Sequence, residues 1–428
     1  MSTNSSNTNT ILETTLSNTY KKKLFNKDPP LGFRKTKKIN KKINKIELIN
    51  ILYNSNDFKE IVEKLKNFYK NNIDNDKFLK YEKQFIPFDK NMQGRSGSIV
   101  GYLKDKPKSV LKIYYLKNNI DVKKLIYYDN CIELNNKFNE IFMNLLFKYI
   151  KYLPNISEIE IKKVKKHILE IEDYGFGNDS YYIVMPLVGI KYIDINITNQ
   201  KTYFMTNLTN IMKINHTPFL KKAFNENNSK ILKLYDEFMY NSLSSLFKAL
   251  KILQKKINYI NSDCKFDNIF LKSHKNTTSK FNELREYGFV IDYILLLSDL
   301  EKSNITINNN KFISYYGQKI PYFISGLGGY KLIRDVRHLC DLKMEKLCPK
   351  LIINDFDILC IIIQLYINFL NININFLNYI PKINELHKEF LSINHTDYQK
   401  LVNILIKGKY NLEKYLPFKL SRILTKLC

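Results

Sequence analysis

Four groups of residues in this sequence have types and spacings that can do chemistry. The most specific is Asp263-Cys264-Lys265-Phe266-Asp267-Asn268, set between a long amphipathic stretch and an apolar run. An Asp-x-Lys-x-x-Asn spacing puts three tools on one loop. Asp263 can orient a hydroxyl and accept its proton, Lys265 can neutralise charge on a transferring phosphoryl group, and Asn268 can hold Mg2+. Asp292 follows the apolar run Phe289-Val290-Ile291 and reads as a strand-end carboxylate placed to bind Mg2+ across phosphates. Lys112 closes Val110-Leu111-Lys112 on a predicted strand, where a buried ammonium is costly without an anionic partner. Upstream, Gly94-Arg95-Ser96-Gly97-Ser98-Ile99 is a Gly-rich turn whose backbone amides can approach phosphate without interference from a Cβ. Taken singly, each has a plain structural reading: a hairpin turn, an edge lysine, a polar helix-to-strand turn, a turn aspartate. Taken together, in this order, they point to phosphoryl transfer.

The elements that must position these residues follow from periodicity. Apolar residues at helical spacing over Ile46–Tyr69 predict one or two amphipathic helices. Ser98–Leu103 and Ser109–Tyr115 read as strands joined by the turn Lys104–Lys108, and Leu134–Ile150 as a helix. A further apolar strand is predicted at Tyr181–Val188, a long helix at Asp236–Ile257, and short strands at Ile269–Leu271 and Phe289–Ile291. The order is β-rich first, with one helix inserted, and helical later. That predicts an α+β fold in two lobes rather than an alternating βαβ sheet. The expected division is a basic tail over 1–40, a helical extension over 41–90, a small β-rich lobe over 91–188 and a larger helical lobe over 189–428. The stretch Thr198–Asn228 carries no clear pattern.

Composition narrows the partners. The 428 residues are 44% hydrophobic and 13% aromatic, enough to pack a large core. The formal charge of +27 favours acidic partners: acidic protein substrates, or an anionic membrane or nucleic acid met by the Lys-rich surface. The lysines are spread along the chain, which equally suits codon bias and solubility. The six cysteines form no CxxC pair and no zinc-like spacing, so a structural metal is not expected and the thiols read as reduced, in a cytoplasmic protein. The apolar run Phe356–Tyr379 is interrupted by Gln364 and Asn368 and reads as a buried helix rather than a membrane span.

With these motifs the chain resembles the divergent eukaryotic-type protein kinases of large DNA viruses, such as the poxvirus virion-morphogenesis kinases. The resemblance runs from about Asn91 to the C-terminus and is strongest over Ile260–Leu271. It implies a Ser/Thr protein kinase using ATP and Mg2+, in host cytoplasm and virion; the alternative is a pseudokinase scaffold. It implies that Gly94, Gly97 and Ile99 cover the nucleotide and that Lys112 grips its phosphates. Lys112 would be held by a carboxylate of the next helix, Glu140, with Glu133 as the rival. Met185 would be the gatekeeper of a hinge strand, and the Leu187 backbone would face adenine. Asp292-Tyr293-Ile294 and the Asn-rich strand pair after it also resemble the haspin kinases, which place a short β-hairpin in the activation segment. On that basis Asp335, or Asp355, would anchor the loop of Asp263. The usual His-Arg before the catalytic Asp is here Asn261-Ser262. This implies activity without activation-loop phosphorylation.

Overall fold

The computed structural model describes residues 51–52, 58–88, 98–115, 126–128, 131–134, 136–314 and 356–399, with short breaks at 154, 178–179, 195–200, 262, 308–309, 371 and 393–398. All of these belong to one compact unit, Lys45–Cys428. The expected tail over 1–40 lies outside the described residues.

Two helices open the description. α1 (Phe58–Asn71) buries Ile61, Val62, Leu65 and Phe68 in the main core, so the predicted extension is part of that core rather than an appendage. α2 (Asn75–Gln84) begins at Asp74, whose side chain accepts the Lys77 amide at 3.0 Å as an N-cap. There follow β1 (Phe85–Pro87), β2 (Ser98–Leu103), β3 (Lys106–Tyr115), β4 (Ile126–Tyr128) and β5 (Cys131–Leu134). α3 (Asn136–Lys148) and α4 (Glu158–Lys165) come next, then β6 (Asp173–Gly177), β7 (Ser180–Pro186), β8 (Ile190–Asp194) and β9 (Lys201–Met205). β1, β2, β3, β7 and β6 form a five-stranded antiparallel sheet in that order. Its two faces differ. Leu103, Leu111, Ile113, Tyr182 and Val184 pack under Phe78 of α2, while Tyr114, Tyr181 and Ile183 join the main core with Phe138 and Phe142 of α3.

The later part is helical. α5 (Thr217–Asn225) leads into α6 (Ser229–Ile257), which starts where the Asn228 side chain accepts the Ile231 amide and ends at left-handed Asn258. α6 has no interior Gly or Pro and buries one long stripe from Ile231 to Ile257. After it come the antiparallel pair β10 (Ile269–Ser273) and β11 (Tyr293–Leu297), and the hairpin β12 (Ile305–Ile307) and β13 (Asn310–Ser314). Among the described residues two helices follow, α7 (Phe356–Leu370) and α8 (Pro381–Phe390). α7 is buried, and among the described residues no helix is long and apolar enough to cross a membrane. β13 pairs in parallel with β5, so the later hairpin joins β4 and β5 in a four-stranded mixed sheet. The architecture is α+β. Thr198–Asn228, unpatterned in the sequence, folds as β9, a short helix (Leu208–Ile211), one π-helical turn and α5.

One expected strand and one expected helix start need correction. Phe289–Ile291 is not a strand; the strand is the five-residue run immediately after Asp292. The helix predicted from Asp236 begins at Ser229, because the Asn228 cap rather than the first strongly apolar turn sets its start.

Candidate active site

Lys112 sits mid-strand in β3 and is almost fully buried. An isolated ammonium there would be too costly, so its partners define the site. Nζ lies 2.9 and 3.0 Å from the two Glu140 carboxylate oxygens and 3.3 Å from Asp299 Oδ1. Glu140 comes from α3 and is itself buried. Tyr114, two residues along β3 on the same face, also donates its hydroxyl to Glu140. Glu301 completes the surroundings: one carboxylate oxygen each from Glu140, Asp299 and Glu301 lie within 4.8 Å of one another. Burial opposes the Lys112 charge, but Glu140, Tyr114, Asp299 and Glu301 outweigh it and hold its pKa well above the ordinary value. Burial, then the Glu140 charge, raises the Tyr114 pKa, so the phenol stays a donor. Of the two candidates for the helix carboxylate, Glu140 is the one at Lys112; Glu133 lies on β5.

The Asp263 loop is held from several sides. At its start, Ile260 and Asn304 exchange backbone hydrogen bonds of 3.0 and 2.8 Å. The Asn261 amide donates to the fully buried carboxylate of Asp357 on α7 at 2.8 Å. Asn261 Oδ1 then accepts the Asp263 amide, while its Nδ2 donates to Tyr259 Oη. Gln364, two turns along α7, accepts the Phe266 amide at 2.9 Å and donates to the Cys264 carbonyl at 3.3 Å. Within the loop, Lys265 Nζ is 3.4 Å from Asp263 Oδ2, and Asn268 Nδ2 donates to the Asp263 carbonyl at 2.9 Å. The loop is therefore braced around Asp263, a buried carboxylate with a cation beside it.

Asp299 joins this loop to Lys112. The residue before it, Ser298, donates both its amide (3.1 Å) and its hydroxyl (2.9 Å) to the Asn268 carbonyl. Asp299 itself has φ of 53°, a conformation uncommon outside glycine and tolerated by Asp. The result brings Lys112, Glu140, Asn268 and Asp299 together, with Asp263 and Lys265 on the adjoining loop.

Several expected positions change. Asp292 does not meet the others. It precedes β11 rather than ending a strand, and β10–β11 pairing sets Tyr293 opposite Ser273 and Leu297 opposite Ile269. Asp292 is thus level with His274, beyond the far end of the pair from Asn268, about 20 Å along the strand at ordinary rise. Its carboxylate is half-exposed, binds Arg285 at 3.0 Å and accepts the Asn276 amide at 2.8 Å, which is a turn-bracing role. Ile99 pairs with Ile113 and faces α2; Val100 pairs with Lys112 and shares its face, because one residue of register reverses the side. Met185 is cross-strand from Val110 and so lies on the Lys112 face. The Leu187 amide donates to the Lys108 carbonyl at 2.6 Å and so is taken up by β3. Gly94 and Gly97 lie outside the described residues, as do Asp335 and Asp355; the carboxylate that anchors the loop is Asp357.

Asp299 and Asp357 each leave a local signal in the sequence, though neither signal names the residue it meets. Tyr293–Leu297 is a longer apolar run than Phe289–Ile291, and Asp299 follows it. Asp357 opens the most apolar helix among the described residues, where a buried carboxylate needs a partner. Protein-family models give no match to this chain, and a search of curated proteins gives none.

Proposed function

We propose that the chain is a two-lobed Ser/Thr protein kinase that moves the γ-phosphate of ATP to a protein hydroxyl. The observation that carries this reading is the convergence of a buried Lys112–Glu140 pair with Asp299, and of Asp299 with the Asp263-x-Lys265-x-x-Asn268 loop through Ser298. A plain structural ion pair would not need a strained aspartate and a hydroxyl-orienting carboxylate on adjoining loops.

In this reading Lys112, kept cationic by Glu140 and Asp299, binds the α- and β-phosphates. Val100, Val110 and Met185 line the side of the sheet where the base would rest. Asp263 orients the substrate hydroxyl and takes its proton, while Lys265 neutralises charge on the moving phosphoryl group. The oxygen donors of Asn268 and Asp299 fit Mg2+: the Asn268 nitrogen is engaged by Asp263, so its hard carboxamide oxygen is the atom it offers. Bound there, Mg2+ would offset phosphate charge. The chain's own contribution is mainly positioning and preorganised charge. The basic surface makes acidic proteins the favoured substrates.

The test is transfer of labelled γ-phosphate from Mg·ATP to an acidic protein and to the chain itself. Transfer by wild type, lost in Asp263→Ala and Lys112→Met, supports the reading. Nucleotide binding weakened by Lys112→Met without transfer in wild type would leave a pseudokinase scaffold.

A further inference from the structure

We propose that Asn139 is a positioning residue, fastening α3 to the segment after Asp299 so that Lys112, Glu140 and Asp299 are assembled before nucleotide arrives. The inference rests on the phosphoryl-transfer reading of the site. Asn139 precedes Glu140 on α3 and is fully buried. Its Nδ2 donates to two main-chain carbonyls, Glu301 at 3.0 Å and Ser303 at 2.8 Å. Both residues belong to the tight turn in which the Ser303 amide bonds the Leu300 carbonyl.

The same short segment reaches the Asp263 loop. Ser303 Oγ lies 3.2 Å from Tyr259 Oη, and Asn304 exchanges two backbone bonds with Ile260. Residues 301–304 therefore touch the Glu140 helix on one side and the start of the catalytic loop on the other. A few residues later, β13 pairs with β5, the strand that leads into α3. The helix is thus held at its entry and again at Asn139.

A primary carboxamide suits this place, because it alone among uncharged side chains carries two donors on one nitrogen. Any withdrawal or rotation of α3 that parts Glu140 from Lys112 must also break both Asn139 bonds and leave two buried carbonyls unpaired. Assembly of the site is then a property of the unmodified fold, and a phosphate on the later segment is not needed to bring α3 in.

Hydrogen exchange of the full chain, without nucleotide, tests this. In wild type, the amides of α3 and of residues 301–307 should open together, with one free energy. Asn139→Leu removes both donors while keeping the number and branching of the side-chain heavy atoms. It should speed exchange of both regions about 30-fold, the loss of two ordinary hydrogen bonds, and leave α6 unchanged. In steady-state assays the same variant should raise KM for Mg·ATP with kcat per folded molecule retained, since nucleotide binding reselects the assembled state. Saturating Mg·ATP should restore wild-type exchange in α3. If Asn139→Leu does not fold, Asn139→Ser and the wild-type exchange pattern carry the same test. Independent opening of α3 and 301–307 in wild type would overturn the proposal, as would unchanged α3 exchange in the variant. Failure of the wild type to bind Mg·ATP would instead overturn the reading of the site, and the nucleotide-free exchange result separates the two.

Discussion

Replacing Tyr114 by Phe should weaken the whole chain through one atom. The Tyr114 hydroxyl donates to Glu140, both side chains are buried, and the ring stays in place in the variant, so no cavity opens. Lys112 Nζ lies 5.1 Å from the ring centroid, and that cation–π contact survives in Phe. What is lost is a hydrogen bond to a buried carboxylate, worth about 1.5–3 kcal/mol, and Glu140 is left with Lys112 alone of these two donors. The expected cost is about 2 kcal/mol in unfolding free energy, read by urea denaturation at constant m-value. A double-mutant cycle with Glu140→Gln should give a coupling of about 1 kcal/mol or more. A Tyr114→Phe variant within about 0.5 kcal/mol of wild type, the range of neutral substitutions, would refute the idea that this phenol sustains the buried pair.

Other outcomes follow from the same structure. Burial holds His167 at a pKa of about 4 and His216 at about 3, both below the ordinary 6.5. Folded chains then bind fewer protons than unfolded ones, so stability is whole above pH 6.5 and falls as the pH drops toward those values; at pH 5 each histidine should account for about 2 kcal/mol of loss. Urea midpoints at pH 7 and 5 check this, and His216→Phe should remove about half of the difference. Gln364→Leu leaves the buried Phe266 amide and Cys264 carbonyl without their α7 partner. It should cost about 1–3 kcal/mol and lower the transfer rate by loosening the Asp263 loop, measured by denaturation and steady-state kinetics. Arg285→Ala, which opens the exposed pair with Asp292, should change stability by less than about 1 kcal/mol in the same denaturation assay.

Much of this site was legible in the sequence because its chemistry is local. Asp263, Lys265 and Asn268 sit on one loop, and their spacing alone fixes their relation. Lys112 on a strand was readable because a buried ammonium needs an anionic partner, and the resemblance to kinases put that partner at Glu140 or Glu133. The α+β order also followed from patterning, and a strand pair of the kind seen at Ile305–Ser314 followed from the resemblance to the haspin kinases. What failed depended on strand boundaries and register. Asp292 and Asp299 stand seven positions apart with apolar residues before each, and only the pairing of Ile269 with Leu297 decides which one reaches Asn268. Ile99 and Val100 are adjacent β-branched residues, so no composition signal says which faces Lys112. Asp357 lies some ninety residues from the loop it anchors, and nothing local marks that contact. The two carbonyls that bind Asn139 belong to the main chain and have no sequence signature at all.

The most direct test of the central claim compares two aspartates. Transfer of γ-phosphate from Mg·ATP should be measured for Asp299→Asn and Asp292→Asn beside wild type. Asp299→Asn should lose on the order of 10²-fold or more in rate, as expected when one preorganised charged group is removed. Asp292→Asn should match wild type, because its carboxylate braces a turn with Arg285 and Asn276. Loss of transfer in Asp292→Asn with full activity in Asp299→Asn would contradict the site described above.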